Sequence, residues 1–143
     1  VRISSLSDHA VVLMQAAATR CGSSRASAAD LAAATGLPVP TAQKLVSLLT
    51  RAGLLQATRG TGGGIKLARP AAAISLADVV EAVEGPIALT PCVEHGGSHD
   101  CAREPFCTVR PHWGPVNAAV RRALAEVTLA TLTSPAISEG VAA

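Results

Sequence analysis

Apolar residues recur along this chain with two different periods, and the order in which those periods alternate predicts its architecture. Ala10 to Ala18 form an apolar run preceded by Ser7-Asp8-His9. This reads as a first helix capped by Ser7, with Asp8 in the first turn where a carboxylate complements the helix dipole. Cys21-Gly22-Ser23-Ser24 ends it. Ser27 and Asp30 have the reciprocal spacing of a capping box, so a second helix runs through Leu31 and Ala32 to Thr35, where Gly36 stops it. After Leu37-Pro38-Val39-Pro40, the segment Thr41 to Ala52 repeats Leu45, Leu48, Leu49 and Ala52 at helical spacing. The opposite stripe holds Pro40, Gln43, Lys44, Ser47 and Arg51. The period then changes. Leu54 to Thr58 and Ile65 to Ala68 are short, strand-like runs joined by Arg59-Gly60-Thr61-Gly62-Gly63-Gly64.

Helical spacing returns after Pro70. Ser75 and Asp78 form a second capping box ahead of Leu76, Val79, Val80 and Val83, and Glu84-Gly85-Pro86 closes that helix. A long helix over roughly Pro111 to Thr131 carries Trp113, Val116, Val120, Leu124 and Val127, with Gly114-Pro115 delaying or kinking its start. A lone helix with a continuous apolar stripe needs a partner, and the same helix of a second copy is the simplest one, which makes the chain a homodimer. The predicted fold is mainly α with a small β-hairpin wing. It divides into a winged helix-turn-helix domain (1–69), a connecting helix (70–90), a cysteine loop (91–110), a dimerisation helix (111–133) and a flexible tail (134–143).

Helix, turn, helix, hairpin is the winged-helix order, and it nominates duplex DNA as the partner. Hydrogen-bonding side chains near the start of the second helix of such a pair meet the major groove. The candidates are Pro40, Thr41, Gln43, Lys44, Ser47 and Arg51. An amphipathic helix with a merely solvated face would show the same stripe, but the hairpin that follows favours DNA. Its glycines let the tip, Thr61-Gly62-Gly63, approach the phosphate backbone, while Arg59 is placed for a narrow minor groove. A nucleotide-binding glycine loop is disfavoured, since the strand-then-helix context and the Lys-Ser/Thr ending of a P-loop are both lacking.

Charge sharpens this picture. The net charge of +2 conceals an asymmetry: residues 1–69 carry eight Lys or Arg against Asp8 and Asp30, a net +6, while residues 70–143 amount to −4. A basic half that meets a polyanion is joined to an acidic half with another task. Tyr is absent and Phe106 and Trp113 are the only aromatics, so base-stacking readers of single strands or RNA are disfavoured. At 143 residues and 49% hydrophobic the chain supports one compact unit. No uninterrupted apolar stretch is long enough for a membrane span, and no secretory leader is visible, so a reducing cytoplasm is expected.

The other task falls to Cys92-Val-Glu-His-Gly-Gly-Ser-His-Asp-Cys101-Ala-Arg-Glu-Pro-Phe-Cys107. Three thiols sit in a stretch of Gly, Pro, Ser and charge that suits neither helix nor strand. Thiolates favour iron–sulfur clusters, zinc or copper(I), and a loop can wrap such a centre. Structural zinc sites usually pair ligands two to four residues apart. Here eight residues separate Cys92 from Cys101 and five separate Cys101 from Cys107, which moves weight from zinc to a cluster. His95 and His99 lie inside the loop and leave a mixed-ligand or zinc site open, and a disulfide or inert thiols remain the bland alternative. Cys21, far from the others, reads as a small buried residue. No catalytic serine, histidine and carboxylate pattern is evident, so the chain does not read as an enzyme.

These residues together resemble the Rrf-type winged-helix repressors, the group of IscR, NsrR and the regulators of SUF cluster assembly. The resemblance covers nearly the whole chain. It rests on Leu6-Ser7-Asp8-His9-Ala10-Val11-Val12, Arg59-Gly60-Thr61-Gly62-Gly63-Gly64 with Leu67, Val83-Glu84-Gly85-Pro86-Ile87, the three cysteines, and Val109-Arg110-Pro111-His112-Trp113. It looks most like the SUF-system regulators, and implies repression of an iron–sulfur assembly operon according to cluster occupancy. It also implies a fourth ligand. In the nitric-oxide-sensing members this is an aspartate near the start of the first helix, supplied by the other subunit, and Asp8 falls on that position with His9 beside it. IscR-like members use a histidine three residues after the last cysteine, where this chain has Arg110. The gap before Cys101 exceeds the more usual five residues, which leaves open whether the cluster has two irons or four. Alternatives within reach of the same residues are a nitric-oxide or redox sensor of this fold, a zinc-stabilised DNA-binding module and a cluster carrier.

Overall fold

In the computed structural model, which describes residues 1–20, 25–94 and 101–134, the order of elements follows the order of periods. Helix α1 spans Ser5–Thr19, α2 Ala28–Thr35, α3 Val39–Arg51, strands β1 Leu55–Thr58 and β2 Gly64–Leu67, then α4 Leu76–Glu84, α5 Arg110–Glu126 and α6 Leu129–Thr133. The two capping boxes form as read, with Ser27 and Asp30 opening α2 and Ser75 and Asp78 opening α4. Gly36, at φ 75°, ends α2 in the left-handed region that a side chain would resist.

Three starts and stops differ from the pattern. Helix α1 begins at Ser5, and its cap is Ser4, whose hydroxyl oxygen accepts from the Ser7 amide at 3.1 Å. Ser7 lies inside the first turn, fully buried, and its hydroxyl donates to Glu84 Oε1 at 2.8 Å. Helix α3 starts at Val39 rather than Thr41, because Pro40 in its first turn has no N–H to lose there. The long C-terminal helix stops at Glu126. Val127 turns extended, its carbonyl accepts from the Leu76 amide at 2.9 Å, and the Leu129 amide donates to Ile74 O at 2.8 Å. Thr128 pairs with Ser75 and caps α6. Helical spacing continued through this point, but β-branched Val127 and Thr128 found strand partners.

Leu13, Met14, Leu31, Leu45, Leu49, Leu54, Leu55, Ile74 and Leu129 are fully buried in one cluster. The cluster joins α1, α2 and α3 to α4 and to α6, so the chain returns from α5 to pack on the helix it began with. Gln15 Nε2 donates to Leu132 O at 2.6 Å across that return. The wing is wider than two strands suggest. β1 and β2 pair antiparallel with Leu55 opposite Leu67 and Thr58 opposite Gly64, and Ala26 adds a bridge to Ile65, with the Ile65 amide donating to Ala26 O at 2.8 Å. No helix among the described residues is long and apolar enough to cross a membrane.

Candidate nucleic-acid interface and thiol cleft

Helix α3 divides its residues sharply. Ala42, Leu45, Val46 and Leu49 are buried, whereas Pro40, Gln43, Lys44, Ser47 and Arg51 are exposed along one stripe, with Thr41 half-buried beside them. The buried stripe is rotated slightly from the one read in the sequence: Leu48 is half-buried and Ala52, past the last turn, is exposed, while Ala42 and Val46 take the inner places. The outward set is unaffected. Pro38 caps the helix without a side-chain hydrogen bond, so the first amides of α3 stay open to an anion.

The wing tip projects Arg59, Thr61 and Gly62 into solvent, with Gly63 partly covered. Its turn is closed by the Gly63 amide donating to Gly60 O at 2.8 Å. Gly63 has no room for a side chain: a Cβ there would stand 2.4 Å from Thr58 O and 2.9 Å from Gly60 O. Backbone crowding therefore requires glycine at 63, whereas Gly60 at φ 93° and Gly62 at φ 78° hold left-handed backbone that a side chain would resist.

The three cysteines line one open cleft of about 500 Å³, together with Thr90, Phe106, Arg110 and Trp113. Cys92 sits half-buried in a single helical turn, Pro91–Val93, with its Sγ 3.0 Å from Thr90 Oγ1. Cys107 follows the turn Glu104–Phe106 and is half-buried, and Cys101 is exposed. All three are free thiols. Sharing a cleft is not the same as converging on a point, and no group of three His, Cys, Asp or Glu side chains among the described residues is gathered at metal-binding spacing. Cys21, His95 and His99 lie outside the described residues. Asp8 is exposed in the first turn of α1 and does not line this cleft; His9 beside it is half-buried.

What positions the near edge of the cleft is a residue that apolar patterning passed over. Asn117 on α5 is 7% exposed, accepts from the Leu89 amide through Oδ1 at 2.8 Å and donates through Nδ2 to Ile87 O at 2.8 Å. It thereby fixes the irregular run between α4 and Cys92. A signal existed: Asn117 occupies the inner stripe with Trp113, Val120 and Leu124, and a polar residue there needs partners. Val116, assigned to that stripe by the sequence, is turned outward and 44% exposed. Arg121 pairs with Glu81 at 2.8 Å and ties α5 to α4 itself. At the C-terminal end of α4, hydrogen bonding by the Ser4 and then the Ser7 side chains holds the Glu84 carboxyl below its usual pKa.

Residues 3–135 match the Rrf2 family model, described as an iron-dependent transcriptional regulator. A Mycobacterium tuberculosis protein named for an HTH-type transcriptional regulator is 36% identical over 146 residues, covering 99% of this chain and 87% of its own. Among solved structures, CymR of B. subtilis, titled the global cysteine regulator, superposes with a TM-score of 0.70 at 27% identity, covering 93% of this chain and 96% of its own. IscR of T. potens gives a TM-score of 0.69 at 26% identity, covering 92% and 85%.

Proposed function

This chain belongs to the Rrf2 family of helix-turn-helix transcriptional regulators, and within it we propose a homodimeric cytoplasmic repressor that reports iron–sulfur cluster occupancy and controls SUF-type cluster assembly genes. The observation that carries the cluster is the set of three free thiols, Cys92, Cys101 and Cys107, lining one cleft. As thiolates they suit iron, and the resemblance to the nitric-oxide-sensing members gives the fourth place to Asp8 of the partner subunit. When bound, an iron–sulfur cluster supplies a centre that small oxidants or nitric oxide can attack. The protein's part is to place ligands. The Asn117 clamp holds the approach to Cys92, and the exposed first turn of α1 presents Asp8 with His9 adjacent. A hard carboxylate among soft thiolates is the most labile of the four ligands.

The duplex is met by Gln43, Lys44, Ser47 and Arg51 of α3 with Pro40 and Thr41 at its start, and by Arg59, Thr61, Gly62 and Gly63 of the wing. The side chains offer hydrogen bonds and charge, and the glycines allow close approach. Two copies would set two recognition helices on a pseudo-palindromic operator.

The test is the absorption spectrum and native mass of anaerobically purified protein. A chromophore lost in Cys92→Ser, Cys101→Ser or Cys107→Ser and kept in Cys21→Ser supports the assignment. A colourless protein holding one zinc per chain overturns it in favour of a zinc-stabilised module. A second reading, a thiol-redox regulator without a cluster, draws on the separation of the thiols within the cleft. It predicts iron-free protein whose DNA affinity changes reversibly on oxidation.

A further inference from the structure

Arg25 played no part in reading the wing from sequence, yet the fold brings it there. Ala26 bridges Ile65, so the residue before it runs alongside β2. The approach is close: a Cβ on Gly64 would stand 2.5 Å from Arg25 Cβ and 3.2 Å from its carbonyl carbon, and one on Gly62 would stand 4.0 Å from Arg25 Nη1. Gly64 is therefore glycine because Arg25 passes beside it, and the bare backbone at Gly62 leaves a lane along which the guanidinium extends toward the tip. Arg25 is exposed and makes no ion pair or side-chain hydrogen bond with the described residues. Among the described residues no carboxylate accounts for the place of this guanidinium.

We propose that Arg25 is a second wing-side contact to the duplex, binding a backbone phosphate on the β2 flank while Arg59 serves the β1 flank. The inference rests on the winged docking described above. A guanidinium offers planar, paired donors to phosphate oxygens, and a phosphate contact positions the protein without reading sequence. Each such contact releases condensed counterions, so its loss is visible in the salt dependence of binding, which a purely structural role would leave unchanged.

Full-length protein is titrated by fluorescence anisotropy against two duplexes, one from the DNA upstream of its own gene and one scrambled, over a range of KCl concentrations. Arg25→Gln keeps the aliphatic stem against the wing. It should weaken binding to both duplexes by about tenfold or more and reduce the salt slope by about one per protomer. Arg25→Lys should restore the slope. Thermal midpoints equal to wild type confirm that the wing persists; if Arg25→Gln lowers the midpoint, the comparison is made between Arg25→Lys and wild type, whose slopes must then agree. An unchanged slope in Arg25→Gln overturns the proposal, as does a loss confined to the promoter duplex. Arg59→Ala is the control: if it weakens binding while Arg25→Gln does not, only the Arg25 assignment fails, and if neither does, the winged docking itself fails.

Discussion

Two polar side chains, Asn117 and Glu84, join distant parts of this protein through hydrogen bonds that a pattern of apolar residues cannot show. Asn117 satisfies one donor and one acceptor of the run 87–89 from inside α5. Asn117→Ala leaves both backbone groups without that partner, and an unsatisfied buried polar group costs about 1 to 3 kcal/mol. The fall should appear in the urea midpoint, and Asn117→Asp should also be destabilising because a carboxylate cannot donate to Ile87 O. Glu84 is the second. Its pKa is depressed in the folded chain through Ser4 and Ser7, so folding favours the ionised form. That contribution is fully present above the unfolded carboxyl pKa, about 4.3, and is lost as pH falls through the lower folded value. Glu84→Gln should therefore narrow its stability deficit relative to wild type as the pH is taken into the acid range. A constant deficit across that range would contradict this account.

Among the elements, the wing and the C-terminal return show how local sequence and tertiary contact divide the work. Gly63→Ala places a Cβ against the Thr58 carbonyl, which is backbone and cannot rotate away. The wing must shift, and DNA affinity should fall while the urea midpoint of the core moves little. α6 is a single short helix that the sequence merged with α5, yet Leu129 is 1% exposed within the same cluster as Leu13 and Leu45. Leu129→Ala should cost about 2 to 5 kcal/mol, like other fully buried leucines. Unfolding followed by circular dichroism and by Trp113 fluorescence should give coincident transitions. Separate transitions would mean that α5 and α6 fold as a unit apart from the winged core.

At the scale of the molecule, α5 stands out because Asn117 is its only buried residue while Val116 on the outward side is 44% exposed. In the proposed dimer that outward face is covered by the second copy. Val116→Asp should then shift the native mass toward monomer and lower affinity for a two-half-site duplex far more than for a single half-site. The ligand proposed across subunits has its own test. Mixed dimers carrying Asp8→Ala on one chain and Cys107→Ser on the other should keep one complete cluster site if the aspartate is donated across the dimer. If it is donated within the chain, both sites are damaged and neither keeps the wild-type spectrum.

The order of elements, both capping boxes, the wing and its glycines were legible because each depends on residues a few positions apart, where spacing and side-chain type suffice. The outward stripe of α3 was legible for the same reason. Three features needed the folded chain. Ser7 has the chemistry of a cap, and only the arrival of Glu84 from 77 residues away makes it an internal donor instead. The break at Val127 exists because Ile74 and Leu76 offer it backbone partners. Arg25 lies 39 residues from Gly64 in sequence and meets it only because Ala26 pairs with Ile65. Local hydrogen bonds and periodicity are written into neighbouring residues, whereas the choice between two locally acceptable partners is decided by which distant groups the closed core brings within reach.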